Sequence, residues 1–274
     1  MTAALAVLLA LLALGCREAA APPHLVLATT TSVGNSGLLD VLAPRWQAAT
    51  GVELQPTLVG RGRALRLLAD GQADVVIRHA PHTGGAMLAT HRDWDYRKFM
   101  FNDFVLVGPP SDPAGVAGET TLEGALKRLL RPATPFVSRG DQSGTHEREQ
   151  ALWTIAGATP ASLMTSGAGM AVTLRQASDR AAYTLSDRAT FEQLRPRVDL
   201  RIVFSGDPRL LNTYAVVTDR RSSRRHEANR FAGWLAAGEG RALIAGYRIA
   251  GSTVRPFTVW PAGAPDTTPS ALPR

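Results

Sequence analysis

From His24 almost to the end of the chain, short apolar runs alternate with segments whose apolar residues recur every three or four positions, and this restricts the fold to an α/β architecture. His24-Leu25-Val26-Leu27-Ala28 reads as a strand. Leu38, Leu39, Val41, Leu42 and Trp46 then recur at helical spacing, with Ser36 as the expected N-cap and Gly51 as the stop. Residues 52–59 read as a second strand, 63–69 as a helix closed by Asp70-Gly71, and 74–77 as a third strand.

Phe104-Val105-Leu106-Val107 is a further buried strand, and the Gly-Pro-rich stretch 108–113 after it reads as the crossing into a second domain. That domain opens on a helix whose Thr120 and Glu123 have capping-box spacing. Residues 135–137 lead into a Gly/Ser-rich turn and a helix through Trp153, with strands expected at 181–185 and 202–204. A return strand at 212–217 precedes helices at 226–237 and 239–247. A length of 274 residues suits two domains of roughly 100–150 residues each. The expected division is a leader and spacer at 1–23, a first lobe of 24–106 plus 214–260, a second lobe of 107–213, and a disordered tail at 261–274.

Residues 3–14 are an unbroken apolar run, too short for a bilayer span of about 20 residues and closed by Ala13-Leu14-Gly15-Cys16. The pattern is that of an export signal. Cys16, the single cysteine, stands where a bacterial lipoprotein signal carries its lipid anchor, the alternative being a plain signal peptide cleaved just beyond. Either way the exported chain folds without disulfides, outside the cytoplasm, free in the periplasm or lipid-anchored to the membrane.

The net charge of +7 is arginine-driven, since Lys98 and Lys127 are the only lysines among the 30 basic residues. The arginines are scattered, and the densest run, 220–225, opens an amphipathic helix. The surplus therefore reads as solvated background rather than as a nucleic-acid or membrane patch.

Two polar clusters, each between a strand and a helix, carry the functional information. The first is Thr29-Thr30-Thr31-Ser32-Val33-Gly34-Asn35-Ser36-Gly37, with four successive hydroxyls at a helix start. The second is Ser138-Arg139-Gly140-Asp141-Gln142-Ser143-Gly144-Thr145, where Arg139 supplies a fixed positive fork, Ser143 and Thr145 supply hydroxyls, and Gly144 lets a ligand approach the backbone. Asp141 could hold the guanidinium or accept a proton from the ligand. Each cluster alone could be an ordinary helix cap; together, in different halves of an exported chain, they point to a small oxyanion clamped between lobes. Gly60-Arg61-Gly62-Arg63 is a third turn of this kind, with Arg61 as a possible second cation.

Enzymatic readings fit poorly. No Gly-x-Ser-x-Gly elbow surrounds Ser32 or Ser143, and His146 is one helical position past Thr145, so it should point away from Ser143. There is no Gly-x-x-x-x-Gly-Lys phosphate loop. His79, His82 and His91 with Asp93 and Asp95 match no zinc spacing and read as solvent-facing loop histidines, so neither a metal nor a cofactor is expected.

These clusters, together with Asp74-Val75-Val76 to His79-Ala80-Pro81, residues 99–109 and Tyr183-Thr184-Leu185-Ser186-Asp187-Arg188, resemble the tungstate-binding proteins of tungstate-specific ABC importers along about residues 24–260. The resemblance implies a type II periplasmic-binding-protein fold, two α/β lobes around a ligand cleft joined by two crossing strands. It implies oxyanion contacts from Thr30, Thr31 and Ser32 in one lobe and from Arg139, Ser143, Gly144 and Thr145 in the other, with Gly167-Ala168-Gly169-Met170 as a further glycine turn. The implied partners are tungstate or molybdate and a membrane permease with its ATPase, the chain acting as a monomer. A phosphate receptor or a sensory binding subunit are the alternatives on the same fold. The chain departs from the family pattern at Arg61 and Arg63, in a turn that usually reads Gly-Thr-Gly-Gln, and at Arg78, where the family has an apolar residue.

Overall fold

The computed structural model describes residues 23–59, 61–80, 90–250 and 253–262, with the backbone alone at Arg61 and Gly62. The first elements in chain order are β1 (His24–Thr29), α1 (Thr31–Asn35), α2 (Leu38–Thr50), β2 (Glu53–Leu58), α3 (Arg61–Ala69), β3 (Val75–His79) and β4 (Trp94–Gly108). There follow α4 (Leu122–Leu129), β5 (Pro135–Ser138), α5 (Gly144–Ala156), β6 (Ser162–Thr165), α6 (Met170–Asp179), β7 (Thr184–Asp187), α7 (Arg188–Leu194) and β8 (Arg201–Phe204). The chain then returns through β9 (Leu211–Asp219), α8 (Arg225–Ala237), α9 (Glu239–Gly246) and β10 (Thr258–Val259).

One sheet runs in the order β10-β4-β9-β3-β1-β2. Within it β1 is parallel to β2 and β3, while β9 lies antiparallel between β3 and β4. β4 outlasts this sheet. Its residues Trp94 to Asp103 pair with β9, whereas Phe104 to Gly108 pair with β7 and β8. β7 is extended in turn by β5 and β6, through Tyr183 N donating to the Pro135 carbonyl, Val137 N donating to the Tyr183 carbonyl, and the parallel β5–β6 pair. The structure is thus two α/β lobes, with β4 passing from one to the other and the chain returning at Leu211, opposite Asp103.

Strand alternation distributes the cores. In the first lobe Leu25, Leu27, Val75, Ile77 and Val216 face α2, α8 and α9, while Ala28, Val76 and Val217 face α3. In the second, Phe104 and Leu106 pack against α4 and α5, and Val105 and Val107 against α6 and α7. One strand therefore seeds both faces of the second lobe. Each fully buried Leu or Phe contributes about 1.5–3 kcal/mol of transfer free energy.

Several local expectations are corrected. The N-cap of α2 is Gly37, not Ser36, whose hydroxyl donates to the Val33 carbonyl at 2.7 Å and accepts from Leu38 N at 3.3 Å. The intervening short helix α1 takes up residues that read as a loop. The capping box at Thr120 and Glu123 is not formed: Thr121 caps α4 by accepting from Gly124 N, and Glu123 pairs with Arg209. β4 begins at Trp94, ten residues before the apolar run at Phe104; exposed Asp95 and Arg97 interrupt the apolar pattern of its first half.

Candidate functional site

The first lobe brings its hydroxyl cluster to the end of the sheet. Thr29, the last residue of β1, donates its hydroxyl to the Ile77 carbonyl at 3.0 Å and so ties β1 to β3. The Thr30 carbonyl starts α1, accepting from Val33 N and Gly34 N. Its hydroxyl caps nothing and lies 3.0 Å from Ser32 Oγ, both residues being buried. Thr31 is half-buried.

His79 is not the solvent-facing loop histidine expected. It closes β3 and is buried, with Nε2 3.0 Å from Ser32 Oγ and Nδ1 2.5 Å from Asn212 Oδ1 on β9. Asn212 Nδ2 donates to Asn102 Oδ1 at 2.7 Å and to the Tyr214 hydroxyl at 2.9 Å. The result is a buried polar chain, Thr30–Ser32–His79–Asn212, along which each member satisfies the next. The Tyr214 ring lies 4.7 Å from the imidazole, and burial pushes its phenol well above the usual range.

In the second lobe β5 delivers Arg139 into the interior, where it is 3% exposed and its Nε has no hydrogen-bond partner among the described residues. The turn after it is tight. Gly140 has φ +60°, and a Cβ there would stand 2.1 Å from Thr165 Cγ2, so only glycine fits. The loop doubles back so that Asp141 pairs with Arg139 and accepts from Ser143 N at 3.1 Å. Partial burial alone would raise the Asp141 carboxyl, but the bonds from Ser143 and Arg139 outweigh it and hold the group below the usual range.

Ser143 caps α5, accepting from His146 N at 3.3 Å, while the His146 ring accepts from Gln142 N and so turns away from the serine. Thr145 is buried in the first turn. Buried Glu149 accepts from Arg139 N at 3.2 Å and Trp153 Nε1 at 3.3 Å, fixing the backbone from which the guanidinium projects. Burial raises its carboxyl. The Gly167 amide, in the further glycine turn, is committed to the Arg139 carbonyl at 3.0 Å.

The two clusters meet. Gly144 abuts the His79 ring, close enough that a Cβ would stand 2.9 Å from His79 Cδ2. Asp187, the N-cap of α7, is fully buried. Its Oδ1 accepts from Thr190 N at 2.9 Å, and its Oδ2 has no hydrogen-bond partner among the described residues. Burial raises its carboxyl despite the nearby charge of Arg139. A desolvated guanidinium, buried hydroxyls on both lobes and the close approach of the lobes at Gly144 and His79 form a site suited to a small anion.

Comparison with known proteins decides the family. The PBP superfamily domain matches residues 17–239. The chain is 37% identical over 231 residues to the "Tungstate-binding protein TupA" of Peptoclostridium acidaminophilum, covering 81% of each chain. The chain belongs to the tungstate-binding protein family of the PBP superfamily.

Solved structures of the family share the architecture. "The crystal structure of the tungstate ABC transporter from Geobacter sulfurreducens" is 36% identical, with a TM-score of 0.74 over 82% of this chain and 98% of that one. The tungstate-binding protein from Desulfovibrio alaskensis G20 is 34% identical, with a TM-score of 0.74 over 86% and 98%.

The departures from the family pattern have different fates. Arg78 is buried, its Nε donating to the His79 carbonyl at 3.1 Å. Arg63 is exposed. Arg61 opens α3, and its side chain lies outside the described residues, as do His82, Cys16 and the segment 263–274. His91 stacks on Trp94 at 4.1 Å. Among the described residues no cluster of His, Cys, Asp and Glu could hold a metal, and no helix is long and apolar enough to cross a membrane.

His79, Asn212 and Asp187 were not singled out as site residues by sequence reasoning. The signal for His79 and Asp187 was their place in stretches that carry the family resemblance; for Asn212 there was none, because only the register of β9 on β4 brings it in.

Proposed function

We propose that the chain is the extracytoplasmic receptor of an ABC importer and that it captures tungstate between its lobes. Thr30, Thr31 and Ser32 bind from the first lobe and Arg139, Ser143, Gly144 and Thr145 from the second, with Arg61 as a second cation. What carries the reading is Arg139: a guanidinium only 3% exposed with an unpartnered Nε, whose neighbouring carboxylate Asp141 is turned onto it rather than toward the cleft. Tungstate offers only acceptor oxygens, so a donor-only environment satisfies it, and low dielectric strengthens each charge-assisted bond.

Ligand contacts to both lobes exist together only when these have closed, so the ligand shifts the hinge equilibrium, and the closed form is the one offered to the permease and its ATPase. The named relatives support tungstate as the ligand, with molybdate as the near-equivalent dianion. The apolar run 3–14 and Cys16 support export with a lipid tether, and the chain works as a monomer.

Phosphate is the second reading, because Asp187 Oδ2 is a buried carboxylate oxygen of the kind a protonated oxyanion needs as acceptor. Titration calorimetry with tungstate, molybdate, sulfate and phosphate tests both. Tungstate and molybdate are expected to bind far more tightly; binding of phosphate alone overturns the first reading in favour of the second.

A further inference from the structure

The direction of the protons in the buried chain follows from the chemistry of its members. Asn212 Nδ2 is committed to Asn102 Oδ1 and the Tyr214 hydroxyl, so the amide oxygen is what faces His79 Nδ1 at 2.5 Å. A carbonyl oxygen only accepts, so Nδ1 carries a proton. In the neutral ring Nε2 is then an acceptor. It draws the Ser32 hydroxyl proton across 3.0 Å, and Ser32 Oγ in turn accepts from Thr30 Oγ1. Both hydroxyl protons then point along the chain into the protein, where an anion made only of acceptors cannot use them.

A proton added from solvent to Nε2 reverses the chain by rotation of its two hydroxyls. Nε2–H donates to Ser32 Oγ, Ser32 O–H turns toward Thr30, and the Thr30 hydroxyl, keeping its proton, turns its O–H toward the cleft. We propose that His79 is a positioning residue that makes this exchange: capture of a fully deprotonated oxyanion is coupled to uptake of one proton at His79 Nε2, whereas the neutral ring favours an oxyanion that brings its own O–H. The inference rests on the oxyanion reading above.

The ring is faced by Ser32 from α1, Tyr214 from β9, Phe104 from β4 at 6.3 Å and Gly144 from α5, while Arg78, the preceding residue of β3, donates to the His79 carbonyl. Arg148 lies over the Phe104 ring at 5.7 Å, and Asp187 acts electrostatically on Tyr214 and Arg139. Arg78 opposes a second positive charge. A bound dianion supports it, and the coupling is reciprocal: the anion raises the affinity of His79 for its proton, and protonation raises the affinity for the anion.

Calorimetry of the full chain with tungstate, in buffers of different ionisation enthalpy across about pH 6 to 9, counts the protons taken up. The expected result is uptake of about one proton per tungstate on the alkaline side of the His79 titration, where affinity falls about tenfold per pH unit, and none on the acid side. His79→Gln, whose amide donates to Ser32 without titrating, is expected to keep tungstate binding, with no uptake at any pH and an affinity flat with pH. His79→Leu is expected to lose binding. Should the Gln variant not fold, the His79 imidazole resonances of the wild type decide by NMR: tungstate is expected to shift their titration to higher pH. Tungstate binding without uptake, uptake undiminished in His79→Gln, or an unshifted titration each overturns the role of His79 and leaves the oxyanion reading standing. Absence of heat with tungstate and molybdate removes that reading and this one with it.

Discussion

Gly144, in the first turn of α5, lies so close to His79 at the end of β3 that a methyl group on its Cα would stand 2.9 Å from His79 Cδ2. One residue belongs to each lobe, so this spacing reports how near the lobes stand to one another.

Gly144→Ala is therefore expected to resist closure rather than to unfold either lobe. A clash of this kind costs about 1–3 kcal/mol, or about fivefold to a hundredfold in the Kd for tungstate. Calorimetry checks the affinity and urea denaturation the stability, which is expected to stay near that of the wild type.

Removing the guanidinium is expected to be more severe. Arg139→Ala should weaken tungstate binding by at least about a hundredfold, because bonds to a desolvated dianion are charge-assisted and a buried acceptor left unmatched is costly. Arg139→Lys is expected to recover little, since an ammonium cannot reproduce the planar fork held between Asp141 and the cleft. Circular dichroism should show an unchanged fold in both variants.

Asp187→Asn is expected to stabilise the ligand-free protein at neutral pH. Burial raises the Asp187 carboxyl above its unfolded value of about 3.9. Below that pH both states are neutral and the variant gains nothing; as pH rises through the raised folded value, the wild type must ionise a buried group and loses stability relative to the variant. Asn remains a good N-cap for α7. Thermal unfolding as a function of pH should show the difference growing with pH, and loss of phosphate binding in this variant would mark Asp187 as an acceptor.

Arg188 clamps Asp103 through two bonds of 2.6 Å where β4 changes sheets, with both side chains about one-fifth exposed (21% and 20%). Asp103→Asn breaks the two-pronged pair and is expected to cost about 1–2 kcal/mol, read by urea denaturation.

Much of this was legible locally. The two glycine and hydroxyl clusters announce themselves because their chemistry is contained within a few residues, and even the Arg139–Asp141 pair spans only two positions. What was not legible depends on distant partners. His79 read as a loop residue because Pro81 and a Gly-containing stretch follow it, yet Asn212, 133 positions away, is what makes its burial tolerable. The first half of β4 was missed because Asp95, Arg97 and Lys98 look like a solvated stretch. Lys98 is nevertheless buried, stacked 4.8 Å from the Trp260 ring at the far end of the chain. Thr121 displaced Thr120 as the cap of α4 because Glu123 is drawn to Arg209 instead of back to the helix start.

The place of β9 between β3 and β4 has a consequence for biogenesis. On the ribosome β1 to β4 emerge first, but β3 and β4 never pair with each other; the slot between them waits for residues 211–219, roughly 100 positions later. The later-made half can complete its own sheet in the meantime, since its strands need only the end of β4. The polypeptide thus carries its own delay: the earliest sheet cannot close before most of the chain has been made, and until then β3 and β4 each keep an unsaturated edge.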